Sequence, residues 1–229
     1  MLAALLLSGS AMAQQNDKVV LQLSWEHEFQ FAGYYAALWQ GFYAQEGLDV
    51  ELRSAVTPEG QFLLPAEQVL SGAADFGIGG IDAMVARGRG EDLVVLSTIF
   101  QRSPESVFSL ESQPMDSLLE LSQLRIASVS ADFTRAQVTA LFMEAGVDPN
   151  SIQFVDVPSS VDSLADGTVD AVVSYDVSAQ YRAQELGVRL NILRPADYGI
   201  NFYGDALYTS GPLLNEDPDK VERFVRASL

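Results

Sequence analysis

The spacing of apolar residues changes from a period of two to a helical period and back again between residues 19 and 52. Every second residue from Val19 to Trp25 is apolar, which predicts a strand ending at Trp25. Residues 31–43 carry two apolar stripes at helical spacing, which predicts a largely buried helix that stops at Gly47. Alternation resumes over residues 48–52, so the segment is predicted to be a βαβ unit with parallel strands.

Strand and helix patterns continue to alternate along the chain, which indicates an α/β protein. The helix before Gly72 is followed by a predicted strand over residues 73–78, a break at Gly79 and Gly80, and a helix over residues 81–87. A strongly apolar run over residues 93–100 predicts a buried strand. The polar segment at residues 101–104 then interrupts the apolar pattern, and we expect a hinge there between two lobes.

The second half repeats this alternation. The predicted elements are strands over residues 124–129, 152–155, 169–174 and 188–193, and helices up to Gly146 and over residues 159–166 and 176–186. Residues 198–209 are aromatic and partly extended, and we expect them to cross back to the first lobe. The chain ends inside a predicted helix over residues 217–229 with no stop signal, so we expect it to be a piece of something longer.

These patterns predict a two-lobed protein with a ligand cleft between the lobes. Lobe 1 is expected to comprise residues 17–103 and 198–229, and lobe 2 residues 104–197. One short motif supports lobes built alike. Gly-x-x-Asp occurs at Gly72 and at Gly167, each time between a helix and a strand. A further acid follows each strand, and ligands of open α/β sheets bind at that end of the strands.

Composition narrows the classes of function. The first 13 residues are small and apolar and end in Ala-Met-Ala, which predicts an export signal cleaved near Ala13 and a periplasmic location. The sequence has no cysteine, which excludes disulfides, thiolate catalysis and Cys-ligated metals. The net charge of −18 disfavours nucleic acids and anionic membranes as partners. With a single histidine, His27, neither a His-based metal site nor a Ser-His-Asp site is expected.

Aromatic residues near the predicted end of the first strand are candidate ligand contacts. Trp25 could stack on a flat heterocycle, although alternation with Leu21 and Leu23 also fits a core position. Tyr34 and Tyr35 are adjacent on the helix, so one could face the cleft while the other is in the core; the sequence does not say which. His27 could contact a ligand, but a loop position without that role is the alternative.

The strand-to-helix turns of the two lobes provide further candidates. Gly79 and Gly80 would let backbone approach a ligand closely, and Asp82 could cap the next helix or accept a hydrogen bond from a ligand amine. Tyr175 and Asp176 end the corresponding strand of lobe 2. A carboxylate there would form a charge-assisted bond to an amine or aminopyrimidine.

Two further segments contain residues that could contact a ligand. Tyr203, beside Phe202, Gly204 and Asp205, could close the floor of the cleft, with hinge packing as the alternative. The run at residues 87–90 has two arginines beside two acids, which is more typical of a solvated turn than of a phosphate site.

Three segments carry a resemblance to a known family. They are WEHEFQFAGYYAALWQGFYAQEGLDVEL, LSGAADFGIGGIDAMVARGRGEDLVVLSTIFQRSPE, and YGINFYGDALYTS with KVERFVRASL. The chain resembles periplasmic substrate-binding proteins for thiamine-pyrimidine precursors, whose relatives include alkanesulfonate-binding proteins and the fungal thiamine-pyrimidine synthase. The first and third segments look most like a subgroup fused to membrane sensors. The resemblance implies a two-lobed binding protein of the second type, a ligand role for Trp25, and a ligand contact at Asp176, where the synthases carry a Glu.

The synthase is the enzymatic alternative, and this sequence departs from it. The pyridoxal phosphate lysine of the synthases falls at Gly79, and the histidine they consume falls at Ala83. Their Cys-rich run falls at residues 201–208, where there is no Cys, and their glycine-rich phosphate loop falls at residues 128–132, where there is no Gly. Without the amine no Schiff base can form. We therefore expect no enzyme activity, no cofactor and no bound metal.

The resulting hypothesis is an exported domain that captures a small molecule, plausibly a thiamine pyrimidine precursor or a related nitrogen heterocycle. Its partner is expected to be either an ABC-transporter permease or a fused membrane sensor, a histidine kinase or a diguanylate cyclase.

Overall fold

The computed structural model describes residues 16–115, 117–128, 135–157 and 159–229, arranged around two sheets. Numbered along the chain, the strands are β1 Asp17–Gln22, β2 Leu48–Arg53, β3 Phe76–Gly79, β4 Leu93–Thr98, β5 Glu105–Leu110, β6 Arg125–Ala127, β7 Gln153–Val155, β8 Ala171–Tyr175, β9 Leu190–Leu193 and β10 Ala206–Ser210. The helices are α1 Ala32–Trp39, α2 Phe42–Gln45, α3 Pro65–Leu70, α4 Ile81–Gly88, α5 Leu118–Leu121, α6 Ala136–Glu144, α7 Val161–Ala165, α8 Asp176–Leu186, α9 Gly211–Glu216 and α10 Pro218–Ser228.

The two sheets have the same topology. The first has the order β2-β1-β3-β10-β4 and the second the order β7-β6-β8-β5-β9. In each sheet the first three strands are parallel, and the fourth runs antiparallel to both of its neighbours. The α/β class and the parallel βαβ unit at the start of the chain are therefore confirmed.

The chain crosses between the sheets twice, and the two crossings run side by side. Ser103 N donates to Phe202 O at 2.8 Å, and Gly204 N donates to Phe100 O at 2.9 Å. Because these two crossings are the covalent links between the two sheets, we expect a hinge to act at this hydrogen-bonded pair. The lobe boundaries expected at residues 103/104 and 197/198 fall on these crossings, and the division into lobes stays a prediction.

The repeated Gly-x-x-Asp motif has the same structural role in both sheets. Asp75 Oδ2 accepts a hydrogen bond from Val20 N at 2.8 Å. In the second sheet Asp170 Oδ2 accepts from Arg125 N at 3.0 Å. Each aspartate ties the start of the third strand to the neighbouring parallel strand, so the first acid of each motif is a structural residue.

The first core lies between the first sheet and helices α1, α2 and α10. Phe224 of α10 stacks on Phe76 of β3 and on Tyr43 of α2, with ring centroids 3.9 and 5.3 Å apart. The second sheet has its own core, in which Phe142 and Leu141 of α6 are fully buried. Two separate cores allow the two halves to move relative to each other.

The helix predicted over residues 31–43 is wrong in two respects. Gly41 adopts φ of 77°, a left-handed conformation that ends α1 and starts α2 as a separate helix. The second apolar stripe is buried only in part, since Tyr43 is buried but Trp39 is 78% exposed. The stop at Gly47 is confirmed, with φ of 72°.

Other expected boundaries also need correction. Strand β1 ends at Gln22, so Trp25 lies three residues beyond the strand and does not end it. Strand β4 is not buried, because it is an edge strand and Val95 is 51% exposed. Helix α9 was missed, since its six residues are too few to show a period. The other predicted strands and helices are present, some of them shorter than expected, and residue 129 lies outside the described residues.

We expect Asp75→Ala to lower the free energy of unfolding by about 1–3 kcal/mol, because it leaves the backbone N–H of Val20 without an acceptor. Urea denaturation followed by circular dichroism measures this. Asp49→Ala, at an exposed position of β2, is the control and is expected to change stability by less than about 0.5 kcal/mol. Equal losses in the two variants would contradict the structural role of Asp75.

Candidate ligand-binding site

The predicted cleft-facing ends of the strands meet at one junction between the sheets. In the first sheet Ala206, at the start of β10, is the register partner of Gly79, at the end of β3. In the second sheet Glu105, at the start of β5, is the partner of Tyr175, at the end of β8. The hydroxyl of Tyr175 donates to Asp205 Oδ1 at 3.0 Å, so the two sheet edges face each other directly.

Asp205 lies at the centre of this junction. Its side chain is buried, with the residue 4% exposed, and Oδ1 also accepts from Ser24 Oγ at 3.4 Å. Oδ2 is buried and has no hydrogen-bond partner among the described residues. Burial raises the pKa of the Asp205 carboxyl to about 6, even though the two hydroxyl donors favour its charged form.

Two further carboxyls share the junction. Asp82 of α4 is buried and accepts a hydrogen bond from the hydroxyl of Tyr208 at 3.1 Å, and burial raises its pKa. Burial, and next the charge of Asp205, raise the pKa of Glu105 to about 7. The three acids, of which Asp82 and Asp205 are buried and Glu105 is half-buried, therefore lie near one another, and we call them the acid cluster.

Tyr34 is buried in the first core, whereas its neighbour Tyr35 is only partly buried against that core. Tyr34 is 4% exposed, and its hydroxyl has no hydrogen-bond partner in the described part of the chain. Burial raises the pKa of this hydroxyl, and the nearby charge of Asp205 adds to the effect. The sequence left the choice between the two tyrosines open, and the structure assigns the buried position to Tyr34.

Tyr35 belongs to a groove on the exposed face of α1. Its hydroxyl forms a short hydrogen bond with His27 Nδ1, and its ring lies 5.1 Å from that of Trp39. The groove has a volume of about 500 Å³ and is lined by His27, Glu28, Phe29, Ala32, Tyr35, Ala36 and Trp39. It reaches the other half of the molecule, because Ser178 Oγ of α8 donates to Glu28 Oε2 at 2.6 Å.

Trp25 lies between the first core and the junction. Its ring is partly buried and lies 5.7 Å from that of Phe62, and its carbonyl accepts from Ala55 N at 3.0 Å. The preceding residue, Ser24, contacts Asp205. The ring therefore has a packing role, and its role in stacking on a ligand stays a prediction.

The turn at Gly79 and Gly80 is tightly packed. A Cβ at Gly79 would overlap the carboxylate of Asp82, and a Cβ at Gly80 would lie 3.3 Å from the carbonyl oxygen of Gly204. Gly80 is the N-cap residue of α4 and has no side chain to cap the helix, and the expected capping role of Asp82 is seen in the backbone N–H groups, including that of Ala83, that donate to its carboxylate. Asp82 is the second residue of α4 and points back over the end of β3.

The same packing tests the fit of pyridoxal phosphate, the cofactor that the synthase relatives would imply. Position 79 offers no amine, and the Asp82 carboxylate fills the space into which a longer side chain at that position would extend. Position 83 is a buried alanine. These residues do not fit a Schiff-base site for this cofactor.

Two predicted residues border the junction, and their side chains form no hydrogen bond with the acid cluster among the described residues. Asp176, the first residue of α8, forms an ion pair with Arg194, with its Oδ2 3.0 Å from Arg194 Nη2. Its Oδ1 is buried without a hydrogen-bond partner among the described residues, so one oxygen remains available to a ligand. Tyr203 lies within the second crossing, between Phe202 and Gly204, and is 60% exposed; its role at the cleft floor stays a prediction.

The main residues that the sequence did not single out are Asp205, Glu105 and Ser24. Asp205 was named only as part of the crossing segment. Asp205 directly precedes β10 and Glu105 is the first residue of β5, and each of these strands follows a chain crossing. An acid at the start of a buried strand is a signal that could have been used, because such a position is normally apolar or solvated.

The described residues show neither a metal cluster nor a membrane-spanning helix. No group of three or more His, Cys, Asp or Glu side chains there is arranged to hold a metal ion. In the same part of the chain, the helices are all too short or too polar to cross a membrane.

Comparison with known proteins identifies the class. The fold is that of periplasmic binding proteins: the alkanesulfonate-binding protein SsuA from Xanthomonas axonopodis pv. citri, solved bound to MOPS, superposes with a TM-score of 0.68 at 16% identity, over 93% of this chain and 71% of that one. Within that class, residues 28–229 match the model of the family described as NMT1/THI5 like, and the chain belongs to this family.

Curated relatives of known function are similar over most of the chain. The riboflavin-binding protein RibY of Chloroflexus aurantiacus is 27% identical over 93% of this chain and 61% of its own length. The formylaminopyrimidine-binding protein of Halalkalibacterium halodurans is 24% identical, with 93% and 64% covered. The pyrimidine phosphate synthase THI13 of Saccharomyces cerevisiae is more distant, at 20% identity with 92% and 65% covered. The chain thus spans less than two thirds of the length of these relatives.

The acid cluster predicts an unusual dependence of stability on pH. A carboxyl whose pKa is raised by folding stabilises the folded state below its folded pKa, so this contribution is lost as the pH rises from about 4 to 6. We expect Asp205→Asn to raise the melting temperature by about 2–5 °C at pH 7.5, and by less at pH 5, where Asp205 is already protonated. Differential scanning fluorimetry at both pH values measures this.

Asp49→Asn is the matched control, because it removes one exposed charge of the same sheet. Its effect on the melting temperature is expected to be equal at both pH values. An Asp205→Asn effect that does not change with pH would contradict a charged, buried Asp205.

Proposed function

We propose that this chain is a substrate-binding domain that captures a small nitrogen heterocycle between its two sheets and releases it unchanged. The observation that carries the proposal is the junction itself. Tyr175 of the second sheet donates to Asp205 of the first, beside buried polar atoms that have no partner among the described residues. Unsatisfied buried polar atoms cost free energy, and a ligand between the lobes would satisfy them on closure.

The comparisons support this class of ligand. Two relatives are named for riboflavin and for formylaminopyrimidine, which are both flat nitrogen heterocycles. The junction offers what such molecules need, namely carboxyl and hydroxyl groups for ring nitrogens and amino groups, with aromatic side chains close by. Our candidates for ligand contacts remain Trp25, Tyr34, Gly80, Asp82, Tyr175 and Asp176. The candidates for residues that surround the ligand are Tyr35, Gly79 and Tyr203.

Binding without catalysis is part of the proposal. The packing of Asp82 against Gly79 and the buried alanine at position 83 leave no groups for the chemistry of the synthase relatives. Closure of the lobes would then be the output, read by a membrane partner. An ABC-transporter permease is one partner consistent with the structural neighbours, and a fused histidine kinase or diguanylate cyclase is the other. A periplasmic location and an export signal at residues 1–13 belong to the same proposal.

A ligand screen tests this function. Riboflavin, 4-amino-5-hydroxymethyl-2-methylpyrimidine, its formylaminomethyl analogue and ethanesulfonate are compared by thermal shift and then by isothermal titration calorimetry. We expect at least one heterocycle to raise the melting temperature and ethanesulfonate to have no effect. Tyr175→Phe removes the hydrogen bond between Tyr175 and Asp205. It is expected to lower the affinity for that heterocycle about 3- to 10-fold.

Tyr181→Phe is the control, since Tyr181 is exposed on α8 of the same half. Its affinity is expected to equal that of the wild type. Failure of every heterocycle to bind would contradict the proposed function, and equal affinities of the two variants would contradict closure through Tyr175.

A further inference from the structure

We infer that Asp205 and Tyr34 form a subsite for a positively charged nitrogen of the ligand. This inference rests on the proposed function and narrows it. The ligand class becomes heterocycles that carry an ammonium group, in preference to neutral ones and to anions such as sulfonates or phosphates.

The geometry of Asp205 is the first argument. Both hydroxyl donors that reach its carboxylate, from Tyr175 and Ser24, bind Oδ1. Oδ2 is buried and receives no donor from the described residues. A group that brings N–H donors would therefore complete the coordination of Asp205, whereas another acceptor would not.

Tyr34 is the second and independent argument. It belongs to a different element, α1, and its hydroxyl oxygen is also buried without a partner in the described part of the chain. The segment leading into α1 reaches the same group, because Gln30 Nε2 donates to Ser24 Oγ at 3.5 Å and Ser24 Oγ donates to Asp205 Oδ1 at 3.4 Å. A phenol oxygen can accept a hydrogen bond from an ammonium group. Asp205 and Tyr34 therefore offer two acceptors to one cation.

The charge of the surroundings points the same way. Neither Asp82 nor Asp205 has an Arg, Lys or His nitrogen within 4 Å among the described residues, although ion pairs are common elsewhere on this chain. The acid cluster thus holds buried negative charge that a cation would neutralise and an anion would oppose. Burial disfavours the charged form of the Asp205 carboxyl and so raises its pKa. A cation bound next to this carboxyl would favour the charged form.

A matched pair of probes tests the inference. The compounds 4-amino-5-aminomethyl-2-methylpyrimidine and 4-amino-5-hydroxymethyl-2-methylpyrimidine share one ring, and only the first carries an ammonium group at pH 7. Isothermal titration calorimetry at pH 7.5 is expected to show the amine binding at least about tenfold more tightly to the wild type. Asp205→Asn is expected to reduce this preference to less than about threefold.

Two variants separate the subsite from general effects. Asp49→Asn makes the same change in net charge at an exposed position and is expected to keep the wild-type preference. Tyr34→Phe keeps Asp205 but removes the second acceptor. It is expected to lower the affinity for the aminomethyl probe about 3- to 10-fold, with little change in the affinity for the hydroxymethyl probe. Circular dichroism and melting temperature establish that each variant is folded.

Each failure has a distinct meaning. If the wild type binds both probes equally, or if Asp205→Asn keeps the preference for the amine, the subsite is wrong and the proposed function stands. If riboflavin or another heterocycle binds but neither probe does, the subsite is again wrong. If no heterocycle binds at all, the proposed function fails and the subsite fails with it.

Discussion

The arrangement of this molecule depends on the burial of two carboxyl groups, Asp82 and Asp205, at one junction, with neither of them in an ion pair among the described residues. Burying an ionised carboxylate costs free energy unless donors or opposite charge offset it. Three hydroxyl groups supply part of that compensation: Tyr208 donates to Asp82, while Tyr175 and Ser24 donate to Asp205. One oxygen of Asp205 remains unpaired. A buried polar atom without a partner is expected at a functional site, where a ligand can form the missing hydrogen bond.

The shared topology of the two sheets explains why the junction lies where it does. In each sheet an antiparallel strand is inserted next to the parallel ones, so its first residue lies beside their last residues. The two inserted strands, β5 and β10, are also the strands that directly follow the two crossings. Asp75 and Asp170 hold equivalent strands in register in the two halves. We therefore propose that the site is built on strand ends and that closure acts about the crossings between the sheets.

The sequence predicted the fold better than the site, for physical reasons. Periodicity is local, so the parallel unit at the start of the chain and the repeated Gly-x-x-Asp motif could be recognised from spacing alone. The break at Gly41 was missed because apolar residues continue at helical spacing through it, and spacing could not decide between Tyr34 and Tyr35. The acid cluster joins Asp82, Glu105 and Asp205, which are distant in sequence and meet only because of the strand order.

A crystal structure of the protein with 4-amino-5-aminomethyl-2-methylpyrimidine bound would test the central claim most directly. The predicted result is a pyrimidine ring between the two sheets, with its ammonium nitrogen about 2.7–3.2 Å from Asp205 Oδ2 and from the hydroxyl oxygen of Tyr34. A ligand that lies in the groove of α1, or whose ammonium group faces away from Asp205, would contradict the assignment of the acid cluster as the binding site.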